Sequence, residues 1–469
     1  MRLFRPIKIA LLGISLLLGI SLLLGGLALP ALANPFETTL PNGLKVIVRE
    51  DHRAPTVTHM VWYRVGSLEE FNGTTGVAHA LEHMMFKGTR DIGPGEFNKR
   101  VAEAGGQDNA FTTTDFTAFF QQAPNQGLGT MMQLEADRMA NLVIDNDLFA
   151  KEMAVIKEER RWRTDDQPRA KVYEALMATV YHAHPYGRPV IGWMPDLDNL
   201  QAQDVRDWYQ RWYAPNNAIL VVVGDVDHDA VFKLAADTYG KIPHRDLPQE
   251  KKQSEPEQAG VRRVTVKAPA ELPYLMLAWC APALTELAGN APATREAYAM
   301  QVLAAVLDGY DGARLNRDLV RARKLAVSAG AGYDPISRGQ QSLFVLEGVP
   351  SKGVAIDKLE AALRDEIRTV ADKGVSEAEL KRIKAQLVAG KVFQRDSQMG
   401  QAMQIGALEV LGQSWRDDDT MFEQLRSVTP AEVQAAARHL LSDDTLTVAN
   451  LVPLPIDPNA PKIAPTFKY

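Results

Sequence analysis

Gly76-Val77-Ala78-His79-Ala80-Leu81-Glu82-His83-Met84-Met85-Phe86-Lys87-Gly88-Thr89 holds two histidines and a glutamate within five residues. A helix beginning near Thr75 is expected to carry them. Positions i, i+3 and i+4 of a helix share one face, so His79, Glu82 and His83 point the same way. Two imidazoles a turn apart can hold one zinc ion, with a carboxylate beside them to take a proton from water. The order reverses His-Glu-x-x-His and corresponds to the inverted form of that zinc motif. The same three residue types also occur by chance on solvated helix faces, and the pentad alone leaves that reading open.

A catalytic zinc needs a third protein ligand and an open coordination position. Lys151-Glu152-Met153-Ala154-Val155-Ile156-Lys157-Glu158-Glu159-Arg160 offers carboxylates. Glu152 and Glu159 are seven residues apart, close to two helical turns, so both face one way. Glu158 points about 100° away from Glu159 and, with the arginines that follow, reads as a solvated charged face.

The stretch from Gly76 to Thr89 resembles the signature of the pitrilysin-type zinc peptidases, the group that includes insulin-degrading enzyme and the mitochondrial processing peptidase. Gly105-Gly106, Asn109-Ala110-Phe111-Thr112, Glu135-Ala136-Asp137-Arg138-Met139 and His184-Pro185-Tyr186-Gly187 extend the resemblance through the first half. In the second half it continues by pattern. The resemblance implies Glu159 as the third zinc ligand and Glu152 as a supporting glutamate of the catalytic site. It implies Glu82 as the base that activates water, and an edge strand at Asn109 and Ala110 that pairs with an extended substrate. Strand addition suits a peptidase, because backbone bonds give affinity with little demand on side chains. A turn residue is the plain alternative for Asn109. The resemblance also implies two homologous α/β-sandwich domains facing each other as a clamshell. His182 and His184 fall in the structural His-Pro-Tyr-Gly loop and are not expected to bind metal.

Working outward, Leu40-Pro41-Asn42-Gly43-Leu44 puts an Asn-Gly turn before Lys45-Val46-Ile47-Val48, a hairpin signal. Thr56–Val65 reads as a strand, and Asn109–Gln121 as a hairpin around Thr112-Thr113-Thr114-Asp115. Hairpins mixed with long helices, without regular βαβ spacing, favour an α+β fold over a doubly wound sheet. Residues 246–261 are polar and read as a linker between halves of similar length. A helix at Asp204 followed by the strand Ala218–Val223 closes the first half. A helix at Thr429-Pro430-Ala431-Glu432, with capping-box spacing, followed by the strand Thr445–Leu451 closes the second. The repeated order suggests a duplicated unit. The expected division is 34–245 for a catalytic zinc-binding domain and 262–469 for a non-catalytic homologue.

The second half carries no His-x-x-Glu-His. It also departs from the family where an arginine and a tyrosine seven apart help hold the substrate backbone. Val320 and Val327 occupy those positions, with Arg321 and Arg323 nearby. This points to a homologous partner subunit that supplies the pair, or to a homodimer that binds peptides through the edge strand alone.

The chain has 469 residues, 46% hydrophobic and 23% charged, ordinary for globular protein and long enough for two or three domains. Arg2, Arg5 and Lys8 precede an apolar run from Ile9 to Leu29, and Ala31-Leu32-Ala33 follows. This is the layout of a secretory signal peptide over residues 1–33, which places the mature protein outside the cytoplasm, with a periplasm as the expected compartment. If uncleaved, the run is long enough to anchor the chain in a bilayer. Without those three cations the basic count falls from 52 to 49 against 58 acidic residues, a net charge of −9. Nucleic acid is excluded as a partner class on that balance. Cys280 is the only cysteine, so no intrachain disulfide forms, and its apolar surroundings suit a core residue.

The reading is a zinc endopeptidase acting on peptides or unstructured polypeptides, the catalytic subunit of a dimer. Its rival is a catalytically silent scaffolding or binding subunit of the same fold. The intact His79, Glu82, His83 and Glu159 argue against the rival.

Overall fold

The computed structural model describes residues 35–249 and 251–457. Residues 1–33, read above as a signal peptide, lie outside them.

The first half begins with the hairpin β1 (Phe36–Thr39) and β2 (Lys45–Glu50), joined through Gly43 at φ +89°, the left-handed conformation an Asn-Gly turn requires. The first half then runs through β3 (Thr56–Tyr63), α1 (Val77–Met84), α2 (Glu96–Glu103), β4 (Gln107–Thr112), β5 (Thr117–Pro124), α3 (Leu128–Asn141), α4 (Asn146–Arg160) and α5 (Pro168–Val180). It closes with α6 (Met194–Asn199), α7 (Ala202–Trp212), β6 (Ala218–Gly224) and α8 (His228–Thr238). The six strands form one sheet in the order β1-β2-β6-β3-β5-β4, with only β2 and β6 parallel. β6 reads Ala-Ile-Leu-Val-Val-Val-Gly and is buried throughout, as a central strand covered on both faces must be.

The second half runs β7 (Arg262–Pro269), β8 (Tyr274–Ala281), α9 (Pro292–Asp308), β9 (Ala326–Tyr333), β10 (Ser342–Pro350), α10 (Ile356–Lys373) and α11 (Glu377–Gln394). α12 (Gln398–Val410), α13 (Asp418–Ser427), α14 (Pro430–His439) and β11 (Leu446–Leu454) complete it. Its sheet is ordered β7-β11-β8-β10-β9, again with one parallel pair, β7 and β11. Reading β2 through β6 onto β7 through β11 superposes the two strand orders, so the duplication is visible in topology. Thr429 and Glu432 form the capping box ahead of α14, with Pro430 in its first turn. The fold is α+β, two sandwiches in one chain.

Each sheet packs one face on helices of its own half. Val46, Val48, Val61 and Leu220 meet α1, α3, α4 and α7, and Leu277, Phe344 and Val448 meet α9, α10 and α14. The opposite faces are covered by exchange. α5 lays Val172, Leu176 and Val180 on Met276, Ala278 and Ala449 of the second sheet. α12 lays Ala402 and Ile405 on Met60, Trp62 and Val221 of the first. At about 1.5–3 kcal/mol per fully buried large aliphatic side chain, this cross-packing holds the halves firmly together.

The tightest point of the exchange is Gly406, where an added Cβ would lie 2.1 Å from Trp62 Cε2. Trp62 is fully buried, and the helix has no room to retreat. Gly406→Ala is therefore expected to destabilise the protein by about 1–3 kcal/mol, the usual cost of overpacking. Thermal denaturation checks this, and an unchanged midpoint would contradict the packing described.

Candidate metal centre

The helix that carries the pentad starts at Val77, near Thr75 as expected. Gly76 sits at φ +88°, outside the helix, and the Thr75 hydroxyl is engaged by Asp196. Its first turn is capped from outside. Glu70 Oε2 and Oε1 accept the amides of Gly76 and Ala78 at 2.9 Å each. Burial pushes the Glu70 carboxyl up to about 8 despite these two bonds. Gly76 has no space for a side chain, because its Cβ would stand 2.7 Å from Ile191 O. The N-terminus of α1 is thus wedged between Glu70 and the 188–192 loop, which fixes the helix's rotation.

That rotation points His79 and His83 at Glu159 of α4 and Glu82 at Thr112 of β4. His83 Nε2 lies 3.3 Å and His79 Nε2 3.7 Å from Glu159 Oε2. A tetrahedral ion with bonds of about 2.0–2.1 Å sets its ligand atoms about 3.3 Å apart, and the three ligand atoms, all within 4.8 Å of one another, approach that spacing. His83 Nδ1 meets Glu152 Oε1 at 2.9 Å, which holds the ring with Nε2 directed at the gap. Such an outer carboxylate is the usual support of a metal-binding histidine. His79 Nδ1 is buried without a hydrogen-bond partner among the described residues, so His79 lacks the equivalent support.

Charge reinforces the geometry. Burial and the neighbouring His83 bring His79 down to about 3. His83 is opposed by burial, but its bonds to Glu152 and Glu159 prevail and raise it to about 9. Glu152 and Glu159 are held below the ordinary carboxylate range by those same contacts, against the cost of burial.

Glu82 stands apart from the three. Burial raises its pKa, and its Oε2 accepts the Thr112 hydroxyl from β4. Thr112 closes the edge strand against the pentad helix. Among the described residues β4 pairs only with β5 and its other edge is open, and residues 108–112 line the same cleft as His79, Glu82 and Glu159. The cleft measures about 750 Å³. The Ala110 amide is met at 2.8 Å by the Asn109 side-chain oxygen rather than by a strand partner.

Three further side chains, Lys87, Arg163 and Thr112, brace the site without having been assigned a role from the sequence. Lys87 Nζ sits 2.7 Å from Glu152 Oε2, and Arg163 Nη1 3.0 Å from Glu159 Oε1. Both lie four residues after the residue they brace, or after its histidine neighbour, a spacing that could have flagged them. Arg163 belongs to a π-helical turn, Arg161–Asp165, that prolongs α4 into the cleft. Thr112 is thirty residues from Glu82, and no local pattern connects them.

Glu158 faces outward and pairs with Arg161. His182 and His184 are away from the cluster, where Glu255 of the linker accepts the amides of residues 182–184. Val320 packs on the second core, and Val327, 56% exposed, lies on β9. Arg323 turns towards Glu366 at 3.8 Å. A second histidine–carboxylate group, Glu50, Asp227 and His228, lies at the surface, with His228 bonded to Glu50 at 2.8 Å.

Residues 45–193, which contain the whole pentad cluster, match the family model described as insulinase, peptidase family M16. Residues 199–387 match the model described as the peptidase M16 inactive domain. The zinc protease PqqE of Helicobacter pylori is 33% identical over 355 residues, 74% of this chain and 77% of that protein. A crystal structure of a protease from Helicobacter pylori superposes with a TM-score of 0.83 at 28% identity, covering 89% of this chain and all of that one. The periplasmic protease PqqL of Escherichia coli has a similar fold, with a TM-score of 0.77 at 19% identity over 91% of this chain and 49% of its own.

Proposed function

Because the chain belongs to peptidase family M16, the insulinase family, we propose that it is a zinc-dependent endopeptidase that hydrolyses extended peptides or unstructured polypeptides. The observation that supports this most is the convergence of His79 Nε2, His83 Nε2 and Glu159 Oε2 beside Glu82 on an open strand edge. His79, His83 and Glu159 would hold the metal, and the half spanning 34–245 would carry the chemistry. Zinc bound there supplies a Lewis acid that polarises a carbonyl and lowers the pKa of water from about 15.7 to about 7.

Every other task falls to side chains. Glu82 takes the proton of the attacking water and returns it to the leaving amine, a role worth about 10²–10⁴-fold. Its raised pKa suits a group that must hold that proton between the two steps. The Thr112 hydroxyl orients its carboxylate. Glu152 keeps the His83 ring aligned, with Lys87 neutralising its far oxygen. Asn109 and Ala110 pair with the substrate backbone once the Asn109 side chain gives up the Ala110 amide.

The mature chain begins at Asn34, outside the cytoplasm. The charged start, the apolar run and the Ala-Leu-Ala ending of residues 1–33 motivate this, and the similar PqqL fold is named periplasmic. Intact mass of the native protein is expected to exclude residues 1–33. A mass that includes them would favour the membrane anchor.

The catalytic chain works with a homologous subunit that contributes an arginine and a tyrosine. Val320 and Val327 cannot donate a hydrogen bond to a peptide carbonyl. The purified chain is expected to cleave an unstructured fluorogenic peptide weakly, to gain rate when a co-purifying homologue is added, and to lose all rate with a chelator. Full activity of the isolated chain, unchanged by the homologue, would sink the two-subunit arrangement. Chelator-insensitive cleavage, or none with the partner present, would favour the scaffolding rival.

A further inference from the structure

The two halves touch at a place that neither the metal cluster nor the exchanged helices explain. The turn joining β4 to β5 and the loop joining β9 to β10 are topologically equivalent hairpin tips, and they meet. The first tip is set directly on the segment preceding α1. Ser67 and Leu68 donate their amides to Thr113 O and Thr114 O at 3.2 and 2.8 Å. Gly66 leaves no gap, since its Cβ would stand 2.4 Å from Thr113 O.

The second tip, residues 334–341, grips that turn. Arg338 Nε donates to Asp115 O at 3.0 Å, and its Nη2 is paired with Glu69. The side chains of that pair are 15% and 4% exposed, so the ion pair is largely withdrawn from water. The Gly339 amide donates to the Tyr186 hydroxyl at 2.8 Å, and that hydroxyl donates to the buried Asp115 carboxylate. A Cβ on Gly339 would lie 2.6 Å from the Tyr186 ring, so only glycine fits. The loop is stiffened from within, with Ser337 Oγ bonded to Gln341 O at 2.9 Å and Ile336 N to Asp334 at 3.1 Å.

The gripped turn begins one residue after Thr112, whose hydroxyl meets Glu82. We propose that Arg338 and Gly339 of the second half are positioning residues for peptide binding, fixing the substrate-pairing strand β4 in register with Glu82. The inference rests on the peptidase reading for its kinetic consequence only. The second half thereby contributes to the first half's site through a tip-to-tip contact and not through an arginine–tyrosine pair. A charge-assisted bond to a backbone oxygen contributes about tenfold or more when it orders a binding element.

The test compares wild type, Arg338→Ala, Arg338→Lys and Tyr186→Phe as full-length mature chains. Hydrolysis of an unstructured fluorogenic peptide is followed together with zinc content, and amide hydrogen exchange over residues 107–116 is followed without substrate. Arg338→Ala and Tyr186→Phe are expected to exchange faster across β4 and to raise KM at least about tenfold, with kcat and zinc little changed. Arg338→Lys is expected to recover part of the KM, because it restores the charge at Glu69 but not the second bond. Unaltered exchange and KM in both disruptive variants would overturn the proposal. So would losses that follow zinc content or melting temperature, which would make the contact a plain brace. If the wild type cleaves no peptide even with the homologous subunit added, the peptidase reading fails, and hydrogen exchange still decides whether the tip orders β4.

Discussion

Glu82→Gln is expected to leave zinc bound at one ion per chain and to lower peptide hydrolysis by about 10²–10⁴-fold, the usual worth of a general base. Glu82 shares a helix face with both histidines, but its carboxylate is turned to Thr112 and not to the gap between His79, His83 and Glu159. Glutamine keeps the shape and can still accept the Thr112 hydroxyl through its amide oxygen, so the helix and the metal cluster lose nothing. Only the capacity to take a proton disappears. Loss of stoichiometric zinc would mean Glu82 is a ligand, and near-wild-type turnover would mean another group is the base.

Glu159→Gln is expected to weaken zinc retention by orders of magnitude, whereas Glu158→Gln is expected to retain it. Glu159 is 5% exposed and presents one oxygen to both imidazoles. An amide there removes the charged donor that a zinc site of this type needs. Glu158 is exposed and pairs with Arg161 alone. Glu159→Gln also leaves the Arg163 guanidinium without its carboxylate beside a buried histidine pair, which further disfavours a cation. Dialysis against a graded chelator, with zinc measured at each step, separates the two variants. Equal loss in both would show that the helix phase has been misread.

The spacing within each helix was legible because it is local, whereas the meeting of α1 with Glu159 of α4 is non-local and was implied only by the family resemblance. His79, Glu82 and His83 are set by i, i+3 and i+4 spacing, and Glu152 and Glu159 by a two-turn repeat, so periodicity alone assigns their faces. Strand patterns also carried far. Ala218–Val223 reads as a buried strand, and the Asn-Gly turn at residues 42–43 closes a hairpin.

What stayed hidden is non-local. The apolar faces of α5 and α12 are evident from Val172, Leu176 and Val180, or Ala402 and Ile405, but periodicity does not say which sheet they cover. A division at 245 and 262 therefore leaves each of these helices packed on the sheet of the other half. Arg338 and Gly339 are equally opaque. In sequence, Ser337-Arg338-Gly339-Gln340 is indistinguishable from a solvated loop, and its grip on Asp115 depends on two hairpin tips of different sheets meeting. The start of α1, near Thr75 as expected, is fixed by equally non-local contacts. Thr75 is a good capping residue, but Asp196 takes its hydroxyl, and a carboxylate from Glu70 caps the helix instead.

The most direct measurement is anomalous diffraction at the zinc edge on crystals of the mature protein grown with stoichiometric zinc. A single strong peak is expected about 2.0–2.2 Å from His79 Nε2, His83 Nε2 and a Glu159 oxygen, with Glu82 outside bonding distance. No peak between α1 and α4, or a peak at the surface group of Glu50, Asp227 and His228 with none at His79, would contradict the account.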